Sequence, residues 1–233
     1  MSGDLDKRPQ ATGDVADFLA KVAATPRPQA TGARGRLIFA LDATASRQPS
    51  WDQASQLQNQ MFAAAAGIGG LEAQLVYFRG FDECRASPFT SDAARMIGYM
   101  GRIQCQGGQT QIGRVLSHAL ATTRERRVNA LVYVGDACEE MADGLVAQAG
   151  ELGLLGLPAF IFHEGGEPAA ADTFRQVARL SRGAYFPFDA GSASVLRDLL
   201  AAVAVYAAGG RAALADMAKA RGGAAPLLLA QLK

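Results

Sequence analysis

Three short stretches of the chain carry side chains able to hold a cation. Asp42-Ala43-Thr44-Ala45-Ser46 follows directly on the apolar run Leu37-Ile-Phe-Ala-Leu41. Thr110 follows the glycine pair Gly107-Gly108, and Asp136 follows Gly135 and the apolar run Ala130-Leu-Val-Tyr-Val134. Two carboxylates and three hydroxyls are all hard oxygen donors, a set suited to Mg²⁺, Mn²⁺ or Ca²⁺ rather than to zinc, which favours imidazole and thiolate. The same residue types have a plainer use. Asp, Thr and Ser after a strand tie tight turns and cap helices through their side-chain oxygens.

Other chemistries are poorly supplied. Lysine occurs only at positions 7, 21, 219 and 233, so residues 22–218 contain none. That removes a GxxxxGK[ST] phosphate loop and any reaction needing a central lysine. Cys84, Cys105 and Cys138 are odd in number and form no CxxC pair, which fits reduced, buried thiols better than a disulfide scaffold. His118 and His163 stand apart from the acids in sequence and read as structural or surface residues. Trp51, at the expected start of a helix, reads as packing on the sheet.

The acids and hydroxyls need a framework that gathers them. From Arg36 onward, short apolar runs alternate with helical patterns. Strands are expected at 37–41, 74–78, 130–134, 159–162 and 185–188, with a short edge strand near 83–88. Helices are expected at 51–66, from the Ser91-Asp92 cap to about 103, and at 111–126, 143–152, 171–181 and 194–207. Such alternation predicts a doubly wound, mostly parallel sheet of about six strands with helices on both faces. In that architecture sites form beyond the carboxyl ends of the strands, where the winding reverses. Asp42 follows its strand directly, and Asp136 comes one residue after the end of its own.

The flanks read differently. Residues 1–34 form an expected arm and linker, 35–209 the domain, and 210–233 a helical tail, whose apolar segment Pro226 to Leu232 is expected to dock back on the domain, the alternative being a surface for a partner or a second copy. The opening residues Met1 to Gln10 are polar and lack the apolar core of a signal peptide. The longest apolar stretch, Leu199 to Ala208, is about half of the ~20 residues that span a bilayer. Lys and Arg number 23 against 22 Asp and Glu, a balance that argues against a nucleic-acid binder. The expectation is a cytoplasmic chain that contacts neither nucleic acid nor membrane.

The pattern DxTxS … T … D, on these elements in this order, resembles the von Willebrand factor type A domain and its metal-ion-dependent adhesion site, over about Arg36 to Gly209. The resemblance implies a Rossmann-like fold and a Mg²⁺ ion, replaceable by Mn²⁺ or Ca²⁺. It implies direct contacts from the hydroxyls of Thr44, Ser46 and Thr110, with Asp42 and Asp136 acting through coordinated waters. It further implies an open coordination position filled by an acidic residue of a protein partner, and hence a non-catalytic module that assembles or regulates an intracellular complex. Two departures stand out. Thr44 replaces the commoner serine, and Asp136 is followed by Ala137-Cys138-Glu139-Glu140, whose extra acids either strengthen the site or repel an acidic partner.

Two alternatives remain at this level. Haloacid-dehalogenase-like phosphohydrolases use DxDx[TV] and GDxxxD, and here Asp42 and Gly135-Asp136 through Glu140 imitate parts of both. Against this, Thr44 stands where that chemistry needs a general acid, and no lysine is present to neutralise a phosphoryl group. The second alternative is a metal-free scaffold that uses the fold only to present surfaces.

Overall fold

The computed structural model describes residues 34–48, 71–189 and 193–221. The expected arm up to residue 33, the expected helix from Trp51 to Ala66 and the apolar end of the tail lie outside the described residues.

The strands are β1 (Gly35–Asp42), β2 (Leu71–Arg79), β3 (Glu83–Ala86), β4 (Ala130–Gly135), β5 (Ala159–Glu164) and β6 (Ala184–Phe188). They form one sheet in the order β3-β2-β1-β4-β5-β6. Only β3 runs antiparallel, paired to β2 across a tight turn. The helices are α1 (Ala93–Met100), α2 (Ile112–Glu125), α3 (Ala142–Leu154), α4 (Pro168–Leu180) and α5 (Ala193–Arg221).

Every residue of β1 is buried, which is why its middle stretch, Leu37 to Leu41, is apolar without alternation. Successive side chains go to opposite faces. Leu37, Phe39 and Leu41 join the core beneath α1 and α5, with Met96, Met100, Leu199, Leu200 and Ala202 through Ala207. Ile38 and Ala40 join a second core with Leu116, Leu145 and Phe174 from α2, α3 and α4. Helices thus cover both faces of the sheet. The edges are handled differently: β3 is short and carries Glu83 and Arg85, while β6 carries Pro187, which has no ladder donor and suits an edge strand.

Helix ends follow local chemistry. Asp92 caps α1 by accepting hydrogen bonds from the amides of Ala94 (2.8 Å) and Arg95 (3.3 Å). We expect Asp92→Ala to cost about 1 kcal/mol in urea unfolding through the loss of that cap. α4 begins three residues earlier than the apolar pattern indicates, because Pro168 fits the first helical turn and Glu167 caps it. α5 breaks at Gly210, whose φ of 68° and ψ of −164° are non-helical, and Ala213 and Met217 beyond the break still pack on the first core. Among the described residues, no helix is long and apolar enough to cross a membrane.

The parallel pairings set the site. Leu37 faces Ala130 and Leu41 faces Val134, so β1 and β4 end side by side. β2 lies on one side of β1, and β5 and β6 lie beyond β4, which makes the β1–β4 junction the point where the winding reverses.

Candidate metal centre

Asp42 closes β1 with no exposed surface. Its Oδ1 accepts the amide of Thr44 at 2.8 Å, and this Asx-type bond turns the chain into a 3₁₀ turn at Ala45–Arg47. Its Oδ2 is buried and has no hydrogen-bond partner among the described residues. Burial pushes this carboxyl up from its ordinary 3.8 to about 6; the bonds from Thr44 act against that rise, the Asp136 charge adds to it, and Arg47 opposes it. Thr44 and Ser46 hold their hydroxyl oxygens 3.1 Å apart, with Thr44 buried and Ser46 exposed.

Thr110 arrives on a loop clamped to the β2–β3 turn. The Gln109 amide donates to the Gly80 carbonyl at 3.1 Å, and the Gln111 side chain donates to the Arg79 carbonyl at 3.1 Å. Gly108 passes so close to Gly80 that a Cβ there would lie 2.0 Å from the Gly80 carbonyl oxygen. The loop is then tied to the Asp136 loop by a reciprocal pair: the Thr110 amide donates to Glu139 Oε2 (2.9 Å), and the Glu139 amide donates to Thr110 Oγ1 (3.0 Å).

Asp136 follows the last residue of β4. Its Oδ1 is a second buried carboxylate oxygen without a hydrogen-bond partner among the described residues. Its backbone carbonyl accepts from His163 Nε2 at 3.1 Å. A carbonyl only accepts, so the ring proton is on Nε2, and Nδ1 accepts the Tyr185 hydroxyl at 2.9 Å. Burial pushes the imidazole pKa down, although the Asp136 carbonyl opposes the fall, so His163 is a neutral strut at pH 7. Phe174 meets the ring edge-on at 5.0 Å.

The two extra acids have a definite use. Glu139 closes the pair with Thr110, and Glu140 accepts the amides of Ile112 and Gly113, the latter at 2.8 Å, at the start of α2. Carboxylates there complement the helix dipole and satisfy amides that have no helical acceptor. Glu140 thus has both carboxylate oxygens on helix amides, and Glu139 has Oε2 on the Thr110 amide. The cysteines are free, and burial raises the pKa of each thiol. His118 bonds Gln74 Oε1 at 2.8 Å within the sheet–helix interface.

Three contributors escape a reading of the chain alone: His163 behind Asp136, Glu139 beside Thr110, and Arg47. Arg47 is 1% exposed and pairs with Glu164 at the end of β5. Burial lowers its pKa, against which the charges of Asp136 and Asp42 act most strongly. The sequence signal for Arg47 is its place directly after Ser46, where an exposed loop residue is the ordinary expectation.

The donor chemistry fits a small divalent cation. The structure brings two carboxylates with orphaned oxygens to adjacent strand ends, with two facing hydroxyls beside one of them. Among the described residues there is no group of three or more His, Cys, Asp or Glu able to hold a metal, so a cation here relies on hydroxyls and water to complete its shell. Asp42, Thr44, Ser46, Thr110 and Asp136 are the residues that would hold it.

No family model and no curated protein matches the chain. Solved structures do. The SpRpn10 VWA domain aligns with a TM-score of 0.59 at 13% identity, over 72% of this chain and 94% of that one. A von Willebrand factor type A protein from Catenulispora acidiphila aligns at 0.58 and 18% identity, over 72% of this chain and 42% of that one. An aerotolerance-related membrane protein from Bacteroides fragilis NCTC 9343, carrying multiple mutations to serine, aligns at 0.53 and 17% identity over 71% and 98%. Identities this low speak to architecture. The described chain has the von Willebrand factor type A fold.

Proposed function

We propose that the chain is a non-catalytic protein-binding module that takes a divalent cation, Mg²⁺ or its Mn²⁺ and Ca²⁺ substitutes, on Asp42, Thr44, Ser46, Thr110 and Asp136. Through that cation it receives an acidic residue of a protein partner within an intracellular complex. The observation that carries this reading is the pair of buried carboxylate oxygens, Asp42 Oδ2 and Asp136 Oδ1, with no hydrogen-bond donor among the described residues. A buried ionised oxygen without a donor is costly, and a cation satisfies both at once. When bound, the ion supplies a positively charged open position for an external carboxylate. Asp42 and Asp136 orient it, and the Glu139–Thr110 pair holds the third loop in place.

A binding role is favoured over phosphohydrolysis by the use of the acids. Glu140, which the phosphohydrolase pattern would send to a metal, is spent on the amides of α2. Residues 22–218 contain no lysine to balance a transferring phosphoryl group.

Calorimetric titration of the chelator-treated protein with Mg²⁺ and Mn²⁺ is expected to give saturable heat. No heat with either ion defeats the metal reading. A pull-down carried out in Mg²⁺ and again in EDTA tests the partner half: recovered proteins should differ, and an interactome unaffected by EDTA removes the cation from partner binding.

A further inference from the structure

Arginine is rarely buried without a reason, and Arg47 is both buried and in the loop that carries Thr44 and Ser46. Its partner Glu164 ends β5, while Arg47 itself follows β1. β4 lies between those strands, so the ion pair crosses the carboxyl end of β4, where Gly135 runs into Asp136. The guanidinium is therefore placed among three carboxylates: Glu164, which it contacts, and Asp136 and Asp42, whose charges it feels most strongly. Glu164 keeps part of its side chain open to solvent (20%), whereas Arg47 keeps almost none (1%).

We propose that Arg47 sets the cation affinity of the site, acting as a tethered internal cation that competes with the bound ion for Asp42 and Asp136. Glu164 is the other half of the device, because its negative charge, in contact with the guanidinium, offsets the positive charge that the site feels. This inference rests on the metal reading above and adds to it a determinant outside the five ligands. Physically, a fixed positive charge in a poorly solvated place repels an arriving divalent ion more strongly than a surface arginine does, and salt screens it little. The site then holds its ion loosely enough to exchange it, and the two aspartates keep a counter-charge when the ion leaves.

The test uses the full chain and Mn²⁺ titration by calorimetry at pH 7.5, with thermal melting in EDTA to establish folding. Arg47→Gln is expected to bind Mn²⁺ about ten-fold more tightly than the parent, and to melt lower in EDTA with the deficit recovered by Mn²⁺. Glu164→Gln is expected to bind about ten-fold more weakly, because the carboxylate charge that offsets the guanidinium beside the site is gone. Adding Arg47→Gln to Glu164→Gln should restore the affinity, which a purely structural role for either residue would not do. Equal or weaker Mn²⁺ binding by Arg47→Gln, or a double variant no better than Glu164→Gln, overturns the proposal. A parent protein that ignores Mn²⁺ altogether sinks the metal reading itself, and this inference with it.

Discussion

In EDTA at pH 7.5, Asp42→Asn is expected to melt higher than the parent protein and to gain nothing from Mn²⁺. The carboxyl of Asp42 sits at about 6, against an ordinary 3.8, chiefly because it is buried. Between those values the native state binds its proton more tightly than the unfolded chain does. Stability of the cation-free protein therefore falls as pH rises from about 4 to about 6, and the loss is complete above that. A ten-fold difference in proton affinity between the two states corresponds to about 1.4 kcal/mol, so the ionised side chain costs roughly 1–3 kcal/mol at neutral pH. Asparagine keeps an oxygen to accept the Thr44 amide and discards the charge. For a chain of this size the gain corresponds to roughly 2–10 °C in melting temperature.

Addition of Mn²⁺ reverses the ranking. The parent rises as the ion binds the native state, while the variant stays where it was. Protons compete with the ion for Asp42, so the apparent affinity of the parent weakens as pH drops below about 6. Equal melting temperatures in EDTA would contradict the burial argument. A Mn²⁺ response retained by Asp42→Asn would remove Asp42 from the ligand set.

Substitution within the glycine pair is expected to divide sharply. Gly107→Ala meets nothing within 4 Å, and its melting curve and cation response should stay close to the parent's. Gly108→Ala places a methyl 2.0 Å from the Gly80 carbonyl oxygen and 2.4 Å from its Cα, so two backbone segments must part. No flexible side chain can yield there. Gly80 itself is in the left-handed region at φ 60°, a turn geometry with few ways to adjust. Overpacking of this kind costs about 1–3 kcal/mol, and here the displaced segment is the loop that presents Thr110. We expect Gly108→Ala to weaken Mn²⁺ binding by at least about ten-fold, since ligand placement tolerates errors of only about 0.5 Å. Equal behaviour of the two alanine variants in melting and titration would break the link between the Gly80 contact and the site.

The acid–hydroxyl pattern is legible in the chain because each part is local. Asp42, Thr44 and Ser46 lie within one turn of a strand end, and the apolar runs ending at Leu41 and Val134 have the length and composition of strands buried on two faces. The helix caps at Asp92 and Glu167 are also local, although only Asp92 is recognisable from sequence; Pro168 and Glu167 become a helix start once the backbone shows where α4 begins. The acids after Asp136 are visible, but their purpose is not. Glu139 and Glu140 find amides at Thr110, Ile112 and Gly113, and nothing in the intervening chain signals that meeting.

Residue types, their order and their two-residue or helical periodicities determined a wound parallel sheet and the strand ends that carry Asp42 and Asp136. The tertiary structure alone decided what stands behind those ends: Arg47 turned inward to Glu164, and His163 braced between Tyr185 and the Asp136 carbonyl. It also decided that one oxygen of each aspartate has no donor among the described residues. The division has a physical cause. Backbone periodicity and burial of apolar runs act over a few neighbouring residues, whereas the pairing of a buried charge depends on which distant segments the closed sheet sets side by side.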